Sequence, residues 1–303
     1  MQVGLVGLGK MGGNIARRLA RADIHVVGFD ADAGAAQALA GEAGFEAART
    51  LDALLLALKA PRTLWCMLPS GGPTQALMEQ LLAKLAPGDL VVDGANGHYR
   101  EAMARAPRFA AQGVGFVDAG VSGGIWGLAN GYSLMLGGTP GDVASLSRVF
   151  AALAPHPGQW LHCGAPGAGH YVKMVHNGIE YGLMQAYAEG FALLEGHPDF
   201  DLDLAAIAGT WLQGSVVRSW LLELTRDLLA ADATLGSVAP VVADSGEGRW
   251  TAQEAIERGI PAPVITTALL QRFASQGRGD FAARVLAMMR NRFGGHAIPE
   301  RKP

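Results

Sequence analysis

Three polar residues at helical spacing stand out in an otherwise apolar segment of the chain. Lys173, Asn177 and Glu180 lie at positions i, i+4 and i+7, within a stripe about 60° wide on one side of an α-helix. Tyr181 lies at the edge of this stripe and His176 lies just beside it. An amine, an amide and a carboxyl group on one helix face are suited to general acid–base chemistry.

The remaining sides of this helix are apolar, which predicts that the helix is largely buried. They carry Val172, Met174, Val175, Ile179, Leu183 and Met184. A buried lysine has a lowered pKa and can act as a general base near neutrality, and a neighbouring carboxylic acid can return the proton. The alternative is a solvated face on which Lys173 and Glu180 form an ordinary surface pair, which contributes little to stability.

Short apolar runs separated by helical segments make up the first half of the chain. Such runs are typical of parallel strands that helices cover on both faces. The predicted strands contain QVGLVGLG, IHVVGFD, RTLWCMLP, LVVDGAN and VGFVDAG, with SLMLGG (133–138) and GQWLHCG (158–164) as candidates to extend the sheet around one helix, GDVASLSRVFAALA. The sequence therefore predicts a Rossmann-type, doubly wound α/β domain over residues 1–165.

Strand-like runs largely disappear after residue 165. Helices are predicted at 167–196, 201–213, 215–231, 250–258 with 262–275, and 279–293. The first is closed by Gly196 and Pro198, as helices often are. Residues 166–303 are therefore predicted to form an all-helical domain for substrate binding and subunit pairing, because apolar helix faces left exposed favour association.

A glycine-rich turn links the first predicted strand to the first helix. Residues 7–12 read GLGKMG. Gly7 permits a tight turn, Gly9 lets the backbone approach a pyrophosphate, and Gly12 allows close packing of helix on strand. The free N–H groups of the helix N-terminus favour an anion. The order of strand, turn and helix predicts a dinucleotide-binding loop.

Asp30 ends the second predicted strand, 18 residues after Gly12. An acidic residue at this spacing accepts hydrogen bonds from the adenosine ribose. Because Ala31 and Asp32 follow, a 2′-phosphate would meet carboxylates instead of an arginine, so the sequence predicts NAD in preference to NADP. Alternatively or in addition, Asp30 caps the helix that begins near Ala33.

Composition excludes several classes of function. The net charge of −3 supplies no basic surface for nucleic acid. Cys66 and Cys163 lie far apart, so we expect buried thiols in a reducing compartment without a disulfide or zinc framework. No apolar stretch approaches the ~18 residues of a membrane span and no leader pattern precedes the first strand, so we expect a cytoplasmic protein without membrane contact.

Histidines recur at intervals of six to eight residues around the domain boundary. They are His156, His162, His170 and His176. This spacing matches neither an H-x-H pair nor the i, i+4 pair of a helical metal site. We therefore expect no metal.

Segments along the whole chain resemble the decarboxylating 6-phosphogluconate dehydrogenases, in the short branch of that family within the wider β-hydroxyacid dehydrogenases. GLGKMGGNIARRL resembles the family's cofactor loop, VVDGANGHYRE its Asp-Gly-Gly-Asn-Ser segment, DAGVSGGIWGLANGYSLMLGG its substrate loop and GAGHYVKMVHNGIEYGLMQ its catalytic helix; DSGEGRWT and RNRFGGH also fit. The most specific match is the K-x-x-H-N-x-x-E-Y combination of the catalytic helix.

The resemblance implies a role for each polar residue of this helix. Lys173 resembles the general base that takes the proton of the C3 hydroxyl while hydride leaves C3 for the nicotinamide. Its protonated form then polarises the new ketone, so that C1 leaves as carbon dioxide without a metal. Glu180 resembles the acid that protonates the enediol to give ribulose 5-phosphate.

The resemblance also implies sets of binding residues. Asn96, Ser122, Gly123, Gly124, His176 and Asn177 match positions that hold the carboxylate and hydroxyls of the sugar acid. Tyr181, Arg272, Arg290 and His296 match the phosphate end, the last two reaching in from a partner chain. Gly7, Leu8, Gly9, Lys10, Met11, Gly12, Asp30, Leu68 and Asn96 match the cofactor site. By residue type alone, Arg272 and Arg290 could be surface charges and His296 a residue of the tail.

Several positions depart from the family pattern. Gly97 stands where the family usually has serine, and Ala95 replaces a glycine. Ser245 stands where the long-chain enzymes have a phosphate-binding lysine, for which Arg249 is a candidate replacement. The chain also lacks the second half of the long branch's helical domain, so the resemblance implies a homodimer or homotetramer.

Two other functions stay open on the sequence alone. A non-decarboxylating β-hydroxyacid dehydrogenase, acting on 3-hydroxyisobutyrate or tartronate semialdehyde, would share the glycine-rich loop and Lys173 but would not need Glu180 as an acid. A non-catalytic NAD-binding protein would not need Lys173 either.

Overall fold

The computed structural model describes residues 1–298. The backbone divides between Met174 and Val175 into two compact units. Within residues 1–298, none of the helices is both long and apolar enough to cross a membrane. The predicted domain boundary between residues 165 and 166 lies shortly before the longest helix, and it stays a prediction.

The first unit contains an eight-stranded sheet with the order β3-β2-β1-β4-β5-β6-β7-β8. Its strands are β1 (Gln2–Val6), β2 (His25–Phe29), β3 (Phe45–Ala47), β4 (Thr63–Cys66), β5 (Leu90–Asp93), β6 (Gly115–Ser122), β7 (Ser133–Gly138) and β8 (Trp160–Gly164). All neighbouring strands are parallel except β6 and β7. The predicted α/β fold is confirmed, and the first six strands have the Rossmann order.

Helices connect these strands. They are α1 (Lys10–Arg21), α2 (Ala33–Gln37), α3 (Leu51–Ala57), α4 (Gly72–Lys84), α5 (Tyr99–Ala110), α6 (Gly127–Asn130), α7 (Pro140–Ser145) and α8 (Ser147–Leu153), with a 3₁₀ turn over Gly124–Trp126. The single helix predicted between β7 and β8 is wrong, because the chain forms α7 and α8 with a break at Leu146.

The sheet has an apolar layer on each face. Consecutive valines show this division, since Val26 and Val92 belong to one buried cluster while Val27 and Val91 belong to the other. Successive side chains of a strand point to opposite faces, so a continuous apolar run fills both layers. This explains why the strands read as unbroken apolar runs in the sequence.

The longest helix, α9 (Ala168–Glu195), begins in the first unit and continues into the second. The second unit also contains α10 (Leu204–Leu212), α11 (Trp220–Ala231), α12 (Glu247–Arg258), α13 (Pro263–Ser275) and α14 (Asp280–Gly294). The all-helical prediction for this part of the chain is therefore confirmed.

Two helices of the second unit begin later than predicted, at residues whose side chains cap them. The carboxylate of Asp203 accepts a hydrogen bond from the Ala206 N–H at 2.9 Å, so α10 begins after residue 203 and not at 201. The Ser219 hydroxyl accepts one from the Leu222 N–H at 3.1 Å, so α11 begins after 219 and not at 215. Both caps satisfy N–H groups that have no partner inside the helix.

Candidate active site

The glycine-rich loop follows β1 and leads directly into α1. Gly7 has φ of +91°, and a Cβ there would lie 2.3 Å from the Met67 carbonyl oxygen. A Cβ at Gly12 would lie 1.9 Å from the Gly7 carbonyl oxygen, whereas a Cβ at Gly9 would meet nothing within 4 Å. The tight turn therefore requires glycine at positions 7 and 12, whereas position 9 faces open space. This arrangement fits a dinucleotide pyrophosphate approaching the start of α1.

The Asp30 carboxylate holds the same loop from the end of β2. It accepts hydrogen bonds from the Leu8 N–H at 2.6 Å and the Asp32 N–H at 2.8 Å. The alternative that Asp30 caps the next helix is wrong, because Asp32 is the cap and accepts from the Gly34 N–H at 2.9 Å. A carboxylate has about four lone-pair sites, so Asp30 keeps capacity for ribose hydroxyls.

The other predicted cofactor residues lie around this loop. Leu8 is buried, Met11 is half-buried and Lys10 is exposed. Leu68 follows β4, and its Cδ1 lies 3.5 Å from where a Cβ of Gly7 would be. Asn96 follows β5 and is exposed. Because β1, β4 and β5 are adjacent and parallel, these residues share the carboxyl edge of the sheet, where ligands bind in open α/β folds.

The polar stripe of α9 is largely buried. Lys173 and Asn177 are only 6% and 9% exposed, while Glu180 is half-buried. The His176 Nδ1 donates to Asn177 Oδ1 at 3.0 Å and lies 4.0 Å from Glu180 Oε2. The low exposure of Lys173 and Asn177 contradicts the alternative that this stripe is a solvated surface face.

The prediction that the other sides of α9 are buried is wrong for most of them. Met174 is buried, but Val172, Ile179, Leu183 and Met184 are each at least 39% exposed. The helix is apolar on nearly every side, so its sequence alone does not show which side faces the interior. In this chain the interior side is the polar one.

Strand β6 packs closely against the stem of Lys173. A Cβ at Gly120 would lie 2.4 Å from Lys173 Cβ. Ser122 ends the same strand two residues later, followed by Gly123 and Gly124 with φ of +134° and +53°. The strand thus brings the predicted substrate loop and Lys173 to one face of the sheet. Gly120 was missed by the sequence analysis, although it alternates with Ser122 along β6.

Two of the residues predicted for the phosphate end, Tyr181 and Arg272, lie in contact in the second unit. The Arg272 guanidinium carbon lies 3.4 Å from the centroid of the Tyr181 ring, and Arg272 Nη1 donates to the Ala243 carbonyl at 2.8 Å. The Tyr181 hydroxyl shares a hydrogen bond with Ser245 Oγ at 3.0 Å. A cation over an aromatic face is attracted by the ring quadrupole, so Tyr181 fixes the Arg272 guanidinium in place.

Arg249, the candidate replacement for the missing lysine, is engaged elsewhere. Its Nη2 donates to Asp244 Oδ2 at 2.7 Å, and its guanidinium carbon lies 5.0 Å from the Phe273 ring centroid. Desolvation acts to raise the pKa of Asp244, but hydrogen bonds from Arg249 and the Gly246 N–H and the charges of Arg249 and Arg272 outweigh it and lower that pKa. Asp244 therefore keeps its negative charge and holds Arg249.

The last two predicted substrate residues lie at the chain's C-terminal helix. Arg290, in α14, and His296, which follows that helix, are both exposed. The His296 carbonyl accepts a hydrogen bond from Asn291 Nδ2 at 2.8 Å. Their predicted contribution to a partner's site stays a prediction.

The mostly parallel sheet, its glycine-rich loop and the helical unit that follows define a class, the dinucleotide-binding dehydrogenases with an added helical domain. Two family models match the chain: "NAD binding domain of 6-phosphogluconate dehydrogenase" over residues 2–164 and "6-phosphogluconate dehydrogenase, C-terminal domain" over residues 169–296. Together they account for most of its length. The chain belongs to the 6-phosphogluconate dehydrogenase family.

Individual relatives agree with this assignment. The chain is 43% identical to an NAD(+)-dependent, decarboxylating 6-phosphogluconate dehydrogenase of Haloferax volcanii, with 98% of each chain covered. It is 38% identical to a putative 6-phosphogluconate dehydrogenase of Bacillus subtilis, covering 99% of this chain and all of that one. A solved 6-phosphogluconate dehydrogenase of Plasmodium falciparum superposes with a TM-score of 0.85 at 26% identity, covering all of this chain and 67% of that one.

Proposed function

We propose that this chain oxidises and decarboxylates 6-phosphogluconate to ribulose 5-phosphate and carbon dioxide, with NAD as the hydride acceptor. The observation that carries the proposal is the buried polar face of α9, on which Lys173 and Asn177 are almost inaccessible and Glu180 follows on the same stripe. Both the family assignment and the two relatives of matching length support it.

The proposed reaction balances with one base and one acid. The Lys173 amine takes the proton of the C3 hydroxyl as hydride leaves C3. The C1–C2 bond then breaks and C1 leaves as carbon dioxide. The electron pair of that bond moves toward the C3 ketone, which protonated Lys173 polarises. Glu180 delivers a proton to C2 of the resulting enediol, which becomes C1 of ribulose 5-phosphate. One proton leaves the hydroxyl and one is returned to carbon, so no net proton is consumed.

The residues of the first unit fit NAD as the cofactor. When bound, NAD supplies an acceptor for the hydride from C3. The open space at Gly9 suits the pyrophosphate, and the remaining lone pairs of Asp30 suit the ribose hydroxyls. Asp32, also acidic, lies two residues further on, so a 2′-phosphate at this position would meet negative charge.

A phosphorylated substrate is supported by Arg272, whose guanidinium is held over Tyr181. Planar guanidinium groups match phosphate oxygens in geometry and charge. We assign Arg290 and His296 of a partner chain to the same phosphate and Asn96, Ser122, Gly123, Gly124 and His176 to the sugar acid.

The partner chain is supported by α14, in which none of the described side chains is buried. Phe281 is 74% exposed and Leu286 is 61% exposed. Exposed apolar surface of this extent is typical of an association surface. We expect Leu286→Glu to lower the molar mass measured by light scattering, whereas Leu56→Glu, at a still more exposed site in α3, should not. An unchanged mass would argue against α14 as the contact.

The central test is product formation. Purified protein given 6-phosphogluconate and NAD should release carbon dioxide and NADH in equal amounts, with ribulose 5-phosphate as the other product. NADH without carbon dioxide would favour a non-decarboxylating hydroxyacid dehydrogenase. No product of either kind would contradict the proposal.

Cofactor choice is tested separately. NADP should give a lower kcat/KM than NAD, and Asp30→Ala should narrow the difference. Because Asp30 also binds the Leu8 N–H, the variant should lose NAD affinity as well. Equal use of the two cofactors by the unmodified protein would refute the charge argument.

A further inference from the structure

Strand β6 presents every second residue to the start of α9. Residues 118, 120 and 122 share one face because strand side chains alternate. Of these, Gly120 lies against Lys173 and Ser122 begins the predicted substrate loop. Asp118, the third, is fully buried and has no role in the site described so far.

The Asp118 carboxylate caps α9 from this strand. Its Oδ1 accepts a hydrogen bond from the Gly167 N–H at 2.6 Å, and its Oδ2 accepts one from the His170 N–H at 2.8 Å. Helix N-terminal N–H groups lack partners within the helix and carry partial positive charge. Gly167 has no side chain with which to cap α9, so a carboxylate 49 residues earlier performs this function.

Close backbone packing fixes the first turn of α9 against β6 and β7. A Cβ at Gly169 would lie 2.5 Å from both the Asp118 and Met135 carbonyl oxygens. A Cβ at Gly137 would lie 2.4 Å from Asp118 Oδ1. Packing at this distance leaves α9 no room to slide toward the sheet. The two hydrogen bonds of the Asp118 carboxylate then fix the residue at which the helix begins.

Lys173 lies one turn beyond the capped residues. It follows His170 by three positions, and its Cβ and Cγ lie 2.4 and 3.1 Å from where a Cβ of Gly120 would be. A second contact ties the same turn to β5, since His170 Nε2 donates to the Asp93 carbonyl at 3.1 Å. A shift of the first turn would therefore move the stem of Lys173 directly.

We propose that Asp118 is a positioning residue that holds Lys173 in place for proton transfer, with Gly120 providing the space for its stem. The inference rests on the proposed function only in taking Lys173 as the base. A misplacement of about 1 Å can cost ~10²-fold in rate even where binding survives, so the effect belongs to kcat.

Asp118→Asn tests the carboxylate without changing its size. The amide keeps one acceptor but turns an N–H donor toward one N–H of α9. We expect kcat to fall about 10–100-fold while the KM for NAD stays unchanged. Gly120→Ala should give the same pattern, because its methyl group pushes on Lys173 while the hydrogen bonds of Asp118 remain. The matched control is Asp203→Asn, which alters an aspartate cap on α10 and should leave kcat unchanged.

Chemical labelling of Lys173 provides a measurement that does not depend on the substrate. Lys173 should react slowly with acetic anhydride in the unmodified protein, and faster in Asp118→Asn and Gly120→Ala, as measured by peptide mass spectrometry. Unchanged labelling together with unchanged kcat in both variants would overturn the proposal, even if the melting temperature falls.

If the unmodified protein does not turn over 6-phosphogluconate, the proposed function fails, and labelling still decides whether Asp118 positions Lys173. If Asp118→Asn does not fold, the smaller Asp118→Ser, which also removes the charge but keeps one acceptor oxygen, is measured in the same way.

Discussion

The two units of the chain cover their apolar residues to very different extents. In the first unit, helices cover both faces of the sheet, and large side chains such as Trp65 and Phe150 are fully buried. Among the described residues of the second unit, the buried apolar ones form two clusters of four residues each, while Val216, Ile256 and Phe281 are at least 74% exposed. The first unit completes its core within one chain, whereas the second leaves surface that a further chain can cover.

The candidate site residues of the two units also differ, in the kind of contact that forms the site. In the first unit the site depends on backbone in close approach, as at Gly7, Gly12 and Gly120. In the second it depends on long side chains, with Arg272 stacked on Tyr181. Substitutions in the first unit should therefore act through sterics and be severe, and those in the second should act through lost contacts and be graded.

The largest expected effect is that of Lys173→Met, at the end of the first unit. The substitution keeps much of the apolar stem but removes the base, so kcat should fall ~10²–10⁴-fold, as for other acid–base groups. NAD affinity measured by calorimetric titration should be unchanged. The control is Lys84→Met, which removes an exposed lysine paired with Asp52 at 2.6 Å and should leave kcat unchanged. Activity retained in Lys173→Met would contradict the assigned base.

The glycine-rich loop provides a comparison within the first unit. A methyl group at position 12 would overlap the Gly7 carbonyl oxygen, whereas one at position 9 has open space. Gly12→Ala should therefore lower the free energy of unfolding by about 1–3 kcal/mol. Gly9→Ala should leave it unchanged and weaken NAD binding only. Urea unfolding and NAD titration of both variants check this, and a Gly9→Ala variant that binds NAD normally would mean that the pyrophosphate lies elsewhere.

Much of the first unit could be predicted because its signals are local. Buried strands appear as continuous apolar runs, and the glycine-rich turn follows its strand directly. The strand β3 was missed because it has only three residues, two of them exposed. The start of α10 was misplaced because a capping aspartate, Asp203, can be recognised only relative to the N–H groups it meets.

Contacts between distant parts of the chain could not be predicted. Asp118 and Gly167 are 49 residues apart, and Tyr181 and Ser245 are 64 apart. Sequence periodicity shows that Lys173, Asn177 and Glu180 share a face of α9, but not that this face is the interior one. Which side of an apolar helix is covered depends on tertiary packing, and here the exposed side carries Ile179 and Leu183.

In the second unit, Arg272→Met should show the graded effect of a lost contact. Hydrogen bonds to charged groups contribute about 1.5–3 kcal/mol, so the KM for 6-phosphogluconate should rise roughly 10–100-fold with little change in kcat. Arg278→Met is the matched control, since Arg278 also lies beside an aromatic ring, with its guanidinium carbon 5.5 Å from the Phe273 centroid. A lower kcat at constant KM in Arg272→Met would instead assign Arg272 to the chemistry.

The smallest expected effect concerns Gly97, in the loop after β5. It tests whether glycine is required for stability at every close contact of the first unit. His170 Nε2 donates to the Asp93 carbonyl at 3.1 Å, whereas the other ring nitrogen, Nδ1, is buried without a hydrogen-bond partner. A Cβ at position 97 would lie 3.4 Å from it. The hydroxyl of Gly97→Ser, which can donate or accept, can therefore form a hydrogen bond with His170 Nδ1.

Gly97→Ser should raise the free energy of unfolding by about 1 kcal/mol, since it adds one hydrogen bond and restricts the unfolded chain. Urea unfolding measures this. Gly94→Ser in the same loop is the contrasting variant, because a Cβ at Gly94 would lie 2.4 Å from Trp65 Nε1 and should destabilise the fold. If Gly97→Ser is also destabilising, then the 3.3 Å approach of that Cβ to His170 Cε1 outweighs the new hydrogen bond, and steric fit governs this loop as strictly as it governs the turn at Gly12.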